Sequence, residues 1–204
     1  MTRFYLVRHG QTEWNRVERF RGRLDIQLNE TGVRQAEAAG RSLKGSGIVA
    51  VYSSPLSRAV QTAEAIGAAT GLPVSPMDEL IDFNFGDWQG LTPEEVEARY
   101  PGQHQQWLVD PAGVHIPGGE TLQDVRRRLV EALGRLIRIH QDEAVALVTH
   151  KVVCKVMLLA VLDLDNSHYW RIEQDNAAIS IFEHRRDQFV LQTMNDTCHL
   201  RRRT

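Results

Sequence analysis

Two arginines and two histidines stand where short apolar runs of the sequence end. Arg8 and His9 follow the first run, Arg58 follows the second run after a short turn, and His150 follows a later one. The guanidinium fork of arginine matches the oxygens of a phosphoryl group, and helix N-termini add oriented N–H donors. Gly10 would let the backbone approach a ligand closely. The pattern therefore predicts a pocket for a dianionic phosphoryl group.

Each of these side chains also has an ordinary interpretation. An arginine after a strand is usually a surface charge, and a single histidine at a strand end is more often a hydrogen-bonded structural residue than a catalyst. The functional hypothesis rests on their recurrence at one predicted sheet edge, since ligands of open α/β sheets bind at the carboxyl ends of the strands.

The elements that must position these residues alternate between strand and helix. Apolar runs predict strands near residues 4–7, 49–52, 72–74, 144–148, 177–183 and 189–194, and apolar stripes predict helices near 33–43, 55–70, 120–140 and 152–162. The second of these helices is expected to begin at Pro55, because proline suits the first position of a helix. Alternating strands and helices indicate an α/β fold with a mostly parallel sheet that helices cover on both faces. Residues 76–118, rich in prolines, acids and aromatic side chains, are interpreted as a smaller inserted subdomain.

Composition narrows the function further. The chain has 204 residues, of which 42% are hydrophobic and 25% charged, and a formal net charge of −2. These values predict one globular domain over residues 1–204 and argue against a nucleic-acid partner, which usually requires a basic excess. The apolar runs are too short to span a bilayer, so no membrane association is expected. Two widely spaced cysteines fit reduced thiols in the cytoplasm.

Several common catalytic motifs are missing from the sequence. No glycine-rich nucleotide-binding fingerprint follows a strand, and neither a P-loop, a HExxH zinc motif nor a GxSxG elbow occurs. The eight histidines show no close metal-ligand spacing. We therefore expect neither a metal site nor a cofactor.

Six segments together resemble the histidine phosphatase superfamily, in the branch that includes cofactor-dependent phosphoglycerate mutase. The resemblance extends to small phosphatases such as α-ribazole phosphatase and metal-independent phosphoserine phosphatase. It implies a three-layer α/β/α sandwich with a small cap at about residues 76–118. The matching segments are 6–15 (LVRHGQTEWN), 25–32 (DIQLNETG), 52–63 (YSSPLSRAVQTA), 85–90 (FGDWQG), 118–121 (GGET) and 148–150 (VTH).

The resemblance also implies roles for residues. His9 matches the nucleophile that takes up the phosphoryl group, and Arg8, Arg58 and His150 match the rest of the phosphate pocket. His150 is counted with the catalytic residues. Asn15 matches a residue that helps to bind the transferred group.

The resemblance places the proton donor at Asp82, where most members of this branch carry glutamate. Aspartate is one methylene shorter, so its backbone must lie closer to the substrate. The alternative is that Asp82 caps a turn and that Glu79 or Asp87 donates the proton.

Three positions depart from the family pattern. Arg21 stands before Gly22 where glutamine is frequent, and we assign both residues to the phosphate site. Gln89 replaces the usual glutamate, and Lys151 follows the second histidine where glycine is common. The extra cation at position 21 would favour an acidic substrate, or it faces water.

The sequence favours the first of three functions and leaves the other two as alternatives. The first is a metal-independent phosphatase that hydrolyses small phosphomonoesters through a phosphohistidine. The second is a 2,3-bisphosphoglycerate-dependent phosphoglycerate mutase, although such mutases are usually longer. The third is a pseudoenzyme that binds a phosphorylated ligand. The resemblance also leaves a homodimer open as the assembly.

Overall fold

The computed structural model describes residues 1–201, and six strands within this part form one sheet. The strands are β1 (Thr2–Arg8), β2 (Ile48–Ser53), β3 (Val74–Pro76), β4 (Ala144–Thr149), β5 (Ile179–Arg185) and β6 (Gln188–Asp196). The helices are α1 (Glu13–Arg16), α2 (Glu30–Leu43), α3 (Ser57–Thr70), α4 (Pro93–Arg99), α5 (Pro101–Val109), α6 (Leu122–Ile139) and α7 (Lys151–Val161). Short 3₁₀ turns lie at Asp78–Leu80, Gly86–Trp88, Pro111–Gly113, Asn166–Arg171 and Cys198–Leu200.

The sheet has the order β3-β2-β4-β1-β5-β6, with β1 to β4 parallel to one another and β5 antiparallel to both of its neighbours. In the β1–β4 ladder Arg8 stands opposite Thr149, and the amide of His9 donates to the Thr149 carbonyl at 2.9 Å. The strands therefore end side by side, which brings His9 next to His150 as the sequence predicts.

Alternate residues of β1 face two separate cores. Tyr5 and Val7 pack with α2 and α3, whereas Phe4 and Leu6 pack with α6 and α7. A strand buried on both faces is a continuous apolar run, and the helices on both faces complete the predicted three-layer α/β/α sandwich. None of the described helices is long and apolar enough to cross a membrane.

The start of α3 differs from the prediction, because the helix begins at Ser57 and not at Pro55. The carboxylate of Asp25 receives the Ser57 amide at 2.8 Å and the Ser57 hydroxyl at 2.6 Å. An oxygen acceptor supplied by a distant loop satisfies the first helical N–H group, which fits a helix start at Ser57. Arg58 still lies in the first turn.

Two strands begin later than predicted, for local backbone reasons. Gly71 adopts φ 76°, and the amide of Leu72 bonds to the Gly67 carbonyl at 3.0 Å, so the end of α3 uses the residues expected to start β3. Ala177 has φ 55°, outside the extended region, and β5 therefore begins at Ile179.

Residues 76–118 contain short helices and turns, and four of their aromatic side chains are buried. Phe83, Phe85, Trp88 and Trp107 are between 0% and 7% exposed and belong to the same core cluster as β1. The role of this segment as a cap stays a prediction. The sequence also suggests a solvated tail at residues 201–203; Arg201 is exposed, and residues 202 and 203 lie outside the described residues.

Candidate active site

His9 lies at the carboxyl end of β1 and is completely buried. Its Nδ1 is 2.6 Å from the carbonyl oxygen of Gly10. Because a carbonyl can only accept, Nδ1 carries the proton and Nε2 keeps a free electron pair. Burial, together with the guanidinium groups of Arg58 and Arg8, holds the pKa of His9 well below its usual range. The ring is therefore neutral and has a defined tautomer, as the predicted role of nucleophile requires.

His150 follows β4 and is also fully buried, with its ring centroid 5.2 Å from that of His9. Its Nδ1 accepts from Arg58 Nε at 3.2 Å, so Nε2 carries the proton and donates to Ser54 Oγ at 2.7 Å. Burial and the charge of Arg58 hold the pKa of His150 well below its usual range. Both histidines are thus neutral in the folded protein.

Arg58 is the central cation of the site and is 0% exposed. One terminal nitrogen donates to the Gly22 carbonyl at 2.7 Å and to Asp82 Oδ2 at 2.9 Å, and the other donates to the Leu24 carbonyl at 2.9 Å. Thr62, one turn further along α3, accepts from the Gly10 amide at 3.1 Å. Helix α3 therefore holds the loop after β1 as well as the phosphate-binding candidate.

Arg8 is 5% exposed, although it ends a strand. Its Nη1 donates to the Gln174 carbonyl at 2.6 Å, and burial lowers its pKa. The guanidinium is fixed by the backbone of a distant segment and not by a carboxylate, so its charge remains free to act on a bound anion.

Arg21 and Gly22 lie in the loop between α1 and α2. Burial and the neighbouring charge of Arg8 lower the pKa of Arg21 to about 10. The side chain is partly buried beside Arg8, which favours the pocket over the alternative that it faces water. The role of Arg21 at the phosphate stays a prediction. Gly22 has φ 53°, and a Cβ there would overlap the side chain of Gln89. Glycine at this position lets the loop present its carbonyl to Arg58.

Asp82 is 5% exposed and directs Oδ2 to Arg58, while Oδ1 accepts from the Phe83 amide at 2.8 Å. Its Oδ2 lies 3.5 Å from His150 Nδ1. The two alternative carboxylates stand elsewhere: Glu79 pairs with Arg135 at 2.7 Å, and Asp87 is exposed. Of the three, only Asp82 contacts the predicted pocket residues.

Asn15 lies in α1 and reaches the site indirectly. Its Oδ1 accepts from the amide of Thr12 at 2.9 Å, which caps the helix. The side chain of Asn176 donates to the same oxygen at 3.3 Å and to the His9 carbonyl at 3.2 Å. These bonds connect Asn15 to the backbone of the histidine.

Three nitrogen atoms of this group are buried and have no hydrogen-bond partner among residues 1–201: Arg8 Nε, His9 Nε2 and Arg21 Nε. Buried polar atoms are nearly always paired. Arg8 and Arg21 are also charge neighbours of His9. Unpaired donors and a nitrogen with a free electron pair, together with neighbouring guanidinium groups, are the features that binding of an anion would require.

Sequence reasoning missed residues 174–177, whose backbone is hydrogen-bonded to Arg8 and His9 at the end of β1. The amide of Ala177 donates to the His9 carbonyl at 3.1 Å, and the Gln174 carbonyl accepts from Arg8 Nη1. Because these bonds use backbone groups, no residue type in the sequence indicates them.

Lys155 was also missed: it is 0% exposed within a helix predicted to be apolar, and its Nζ lies 3.7 Å from Glu173. Lys151 pairs with the other oxygen of Glu173 at 3.5 Å.

Within the described residues, no three His, Cys, Asp or Glu side chains are grouped closely enough to hold a metal ion.

Comparisons with known proteins identify the family to which the chain belongs. The sequence profile of the histidine phosphatase superfamily (branch 1) matches residues 4–197. Phosphoserine phosphatase 1 of Hydrogenobacter thermophilus is 36% identical over 200 residues, covering 98% of this chain and 95% of the relative.

Solved structures extend the likeness to the whole chain. Bacillus stearothermophilus YhfR superposes with a TM-score of 0.95 at 30% identity, covering 98% of this chain and 100% of that one. The mycobacterial glucosyl-3-phosphoglycerate phosphatase Rv2419c, in complex with VO3, gives a TM-score of 0.88 at 32% identity, covering 96% and 99%. The chain therefore has a phosphoglycerate mutase-like fold, and it belongs to branch 1 of the histidine phosphatase superfamily as a phosphomonoester hydrolase.

Proposed function

We propose that this protein hydrolyses small phosphomonoesters through a phosphohistidine at His9 and without a metal ion. The observation that carries the proposal is the set of three buried nitrogen atoms, on Arg8, His9 and Arg21, that lack partners within residues 1–201. A phosphoryl group carries nearly two negative charges at neutral pH. It would satisfy the two arginine donors and place phosphorus beside the free electron pair of His9.

In the first step, His9 Nε2 attacks phosphorus and the bond between phosphorus and the ester oxygen breaks. Arg8, Arg21, Arg58 and His150 hold the other phosphoryl oxygens, where charge accumulates in the transition state. The proton stays on Nδ1, where it is hydrogen-bonded to the Gly10 carbonyl, so the ring becomes phosphorylated on Nε2. The guanidinium groups supply the positive charge that metal ions supply in other phosphatases.

An alkoxide is a poor leaving group, and Asp82 donates the proton that it needs. Asp82 enters this step as the carboxylic acid and leaves it as the carboxylate, so its proton ends on the ester oxygen. In the second step the Asp82 carboxylate takes a proton from water as the oxygen attacks phosphorus, and the bond to His9 breaks. General acid–base help of this kind contributes about 10²- to 10⁴-fold.

The substrate is a small phosphorylated metabolite. Arg21 adds a charge where the family often has glutamine, which favours an acidic substrate such as a phosphorylated acid. Because phosphoserine phosphatase 1 is among the relatives, phosphoserine belongs in the first panel of substrates to be assayed. We further propose a cytoplasmic location, a homodimer as the assembly to be tested, and no nucleic-acid or membrane partner.

The test is hydrolysis of p-nitrophenyl phosphate in the presence of EDTA, with His9→Ala as the matched variant. We expect rapid release of p-nitrophenol by the parent protein and none by the variant, which should remain folded by circular dichroism. Inertness of the parent together with 2,3-bisphosphoglycerate-dependent interconversion of phosphoglycerates would favour the mutase. Binding of phosphate esters without turnover would favour the pseudoenzyme.

A further inference from the structure

Glu120 lies beside the loop that carries Asp82, in a motif to which the proposed mechanism gives no role. Its amide donates to the Asn84 carbonyl at 2.9 Å, and its Oε2 accepts from the Asn84 amide at 2.9 Å. Gly119 permits this approach, because a Cβ there would lie 2.7 Å from the Asn84 carbonyl oxygen. Gly119 therefore lets the motif bring a carboxylate against the loop.

The carboxylate of Glu120 also lies between two arginines that hold the same loop. Arg23 Nη2 is 3.0 Å from Glu120 Oε1, and Arg23 Nε donates to the Asp82 carbonyl at 3.4 Å. On the other side, Arg128 Nε is 3.4 Å from Glu120 Oε1, and Arg128 Nη1 donates to the Glu79 carbonyl. Glu120 thus connects three attachment points of residues 79–84.

The charge of Glu120 determines which groups the two guanidinium groups interact with. Arg23 and Arg128 are like-charged neighbours, and Asp82 is within electrostatic reach of Arg128. Without a carboxylate between them the two cations repel, and Arg128 competes with Arg58 for the carboxylate of Asp82. Aspartate is a short side chain, so a small displacement of its loop removes the carboxyl group from the leaving oxygen.

We propose that Glu120 is a positioning residue that holds the Asp82 loop at the distance required for proton donation. The inference rests on the proposed role of Asp82 as the proton donor. It predicts an effect confined to the step that needs the acid, since p-nitrophenolate leaves readily as an anion whereas an alkoxide does not.

The experiment measures kcat/KM of Glu120→Gln for an alkyl phosphate and for p-nitrophenyl phosphate. We expect the ratio of alkyl to p-nitrophenyl activity to fall at least about tenfold, which is part of the 10²- to 10⁴-fold that a general acid contributes. Asp82→Asn should lower the same ratio further. Glu79→Gln is the matched control, because Glu79 belongs to the same loop but forms its ion pair with Arg135. This variant should leave the ratio unchanged.

The outcomes distinguish a failure of the inference about Glu120 from a failure of the proposed role of Asp82. Equal losses on both substrates in Glu120→Gln, with a normal selective loss in Asp82→Asn, would show that Glu120 is merely structural. An unselective Asp82→Asn would instead overturn the acid assignment and the inference with it. If Glu120→Gln does not fold, Arg23→Met serves as the second variant, because Arg23 lies at the surface with a side chain 38% exposed. In Arg23→Met, a loss of kcat/KM confined to the alkyl phosphate supports the proposed positioning of the Asp82 loop. An equal loss on both substrates contradicts it.

Discussion

Replacing Arg21 by glutamine, the residue frequent in the family, should raise the stability of the protein while lowering its activity. Burial and Arg8 lower the pKa of Arg21 to about 10. A pKa lowered this far corresponds to roughly 3 kcal/mol by which the fold disfavours the charged side chain. Part of that gain is lost because a buried amide must also be desolvated. We therefore expect Arg21→Gln to gain about 1–3 kcal/mol in the free energy of unfolding, or roughly 3–10 °C in Tm.

In the proposed complex, the same substitution removes a charge-assisted hydrogen bond to the phosphoryl group. Such bonds contribute about 1.5–3 kcal/mol, so kcat/KM should fall roughly 10- to 150-fold. Calorimetry in phosphate-free buffer and again with inorganic phosphate measures both effects, because bound phosphate should raise the Tm of the parent more than that of the variant. Arg34→Gln is the control, since Arg34 has a side chain 65% exposed. A variant that is no more stable and retains full activity would refute the placement of Arg21 at the phosphoryl group.

Three further predictions concern the histidines, Gly22 and the choice of acid. Because the folded-state pKa values of His9 and His150 lie below the ordinary 6.5, the unfolded chain binds protons first, and acidification from pH 6.5 should reduce the free energy of unfolding. The slope approaches about 1.4 kcal/mol per pH unit for each histidine, measurable by urea titration; a flat profile would contradict two neutral histidines. Gly22→Ala should cost about 1–2 kcal/mol through its positive φ and lower kcat/KM by moving the carbonyl that Arg58 uses, whereas unchanged kinetics would dismiss this contact. Asp82→Ala should abolish turnover of an alkyl phosphate and Glu79→Ala should not; the reverse result would reassign the acid.

The sheet edge could be predicted from sequence because its signals are local. Short apolar runs that end in Arg8-His9 and His150 specify buried parallel strands, and parallel strands must end at the same edge. The sequence does not specify the pairing of β1 with β4, which places the two histidine rings 5.2 Å apart.

The contacts that complete the site could not be predicted in this way. The start of α3 depends on Asp25, which lies 32 residues away. The anchoring of Arg8 and His9 depends on backbone groups of Gln174 and Ala177, which carry no side-chain signal. Long-range bonds to the main chain are determined by packing of the whole domain and leave no local pattern.

Arg21 illustrates a case in which the sequence stated the alternatives correctly but could not decide between them. A cation next to a glycine in a loop is equally compatible with solvent and with a pocket. The positive φ of Gly22 and the bond from Arg58 to its carbonyl turn this loop toward the site. Only the three-dimensional arrangement places the charge of Arg21 beside Arg8 and His9.

The most direct test of the account is detection of the covalent intermediate. Enzyme mixed with a phosphomonoester for a few milliseconds and quenched in alkali, which preserves phosphohistidine, should carry one phosphoryl group on Nε2 of His9 when its peptides are sequenced by mass spectrometry. Steady hydrolysis by a protein that never shows phosphorus on His9, or full activity of His9→Ala, would contradict the mechanism.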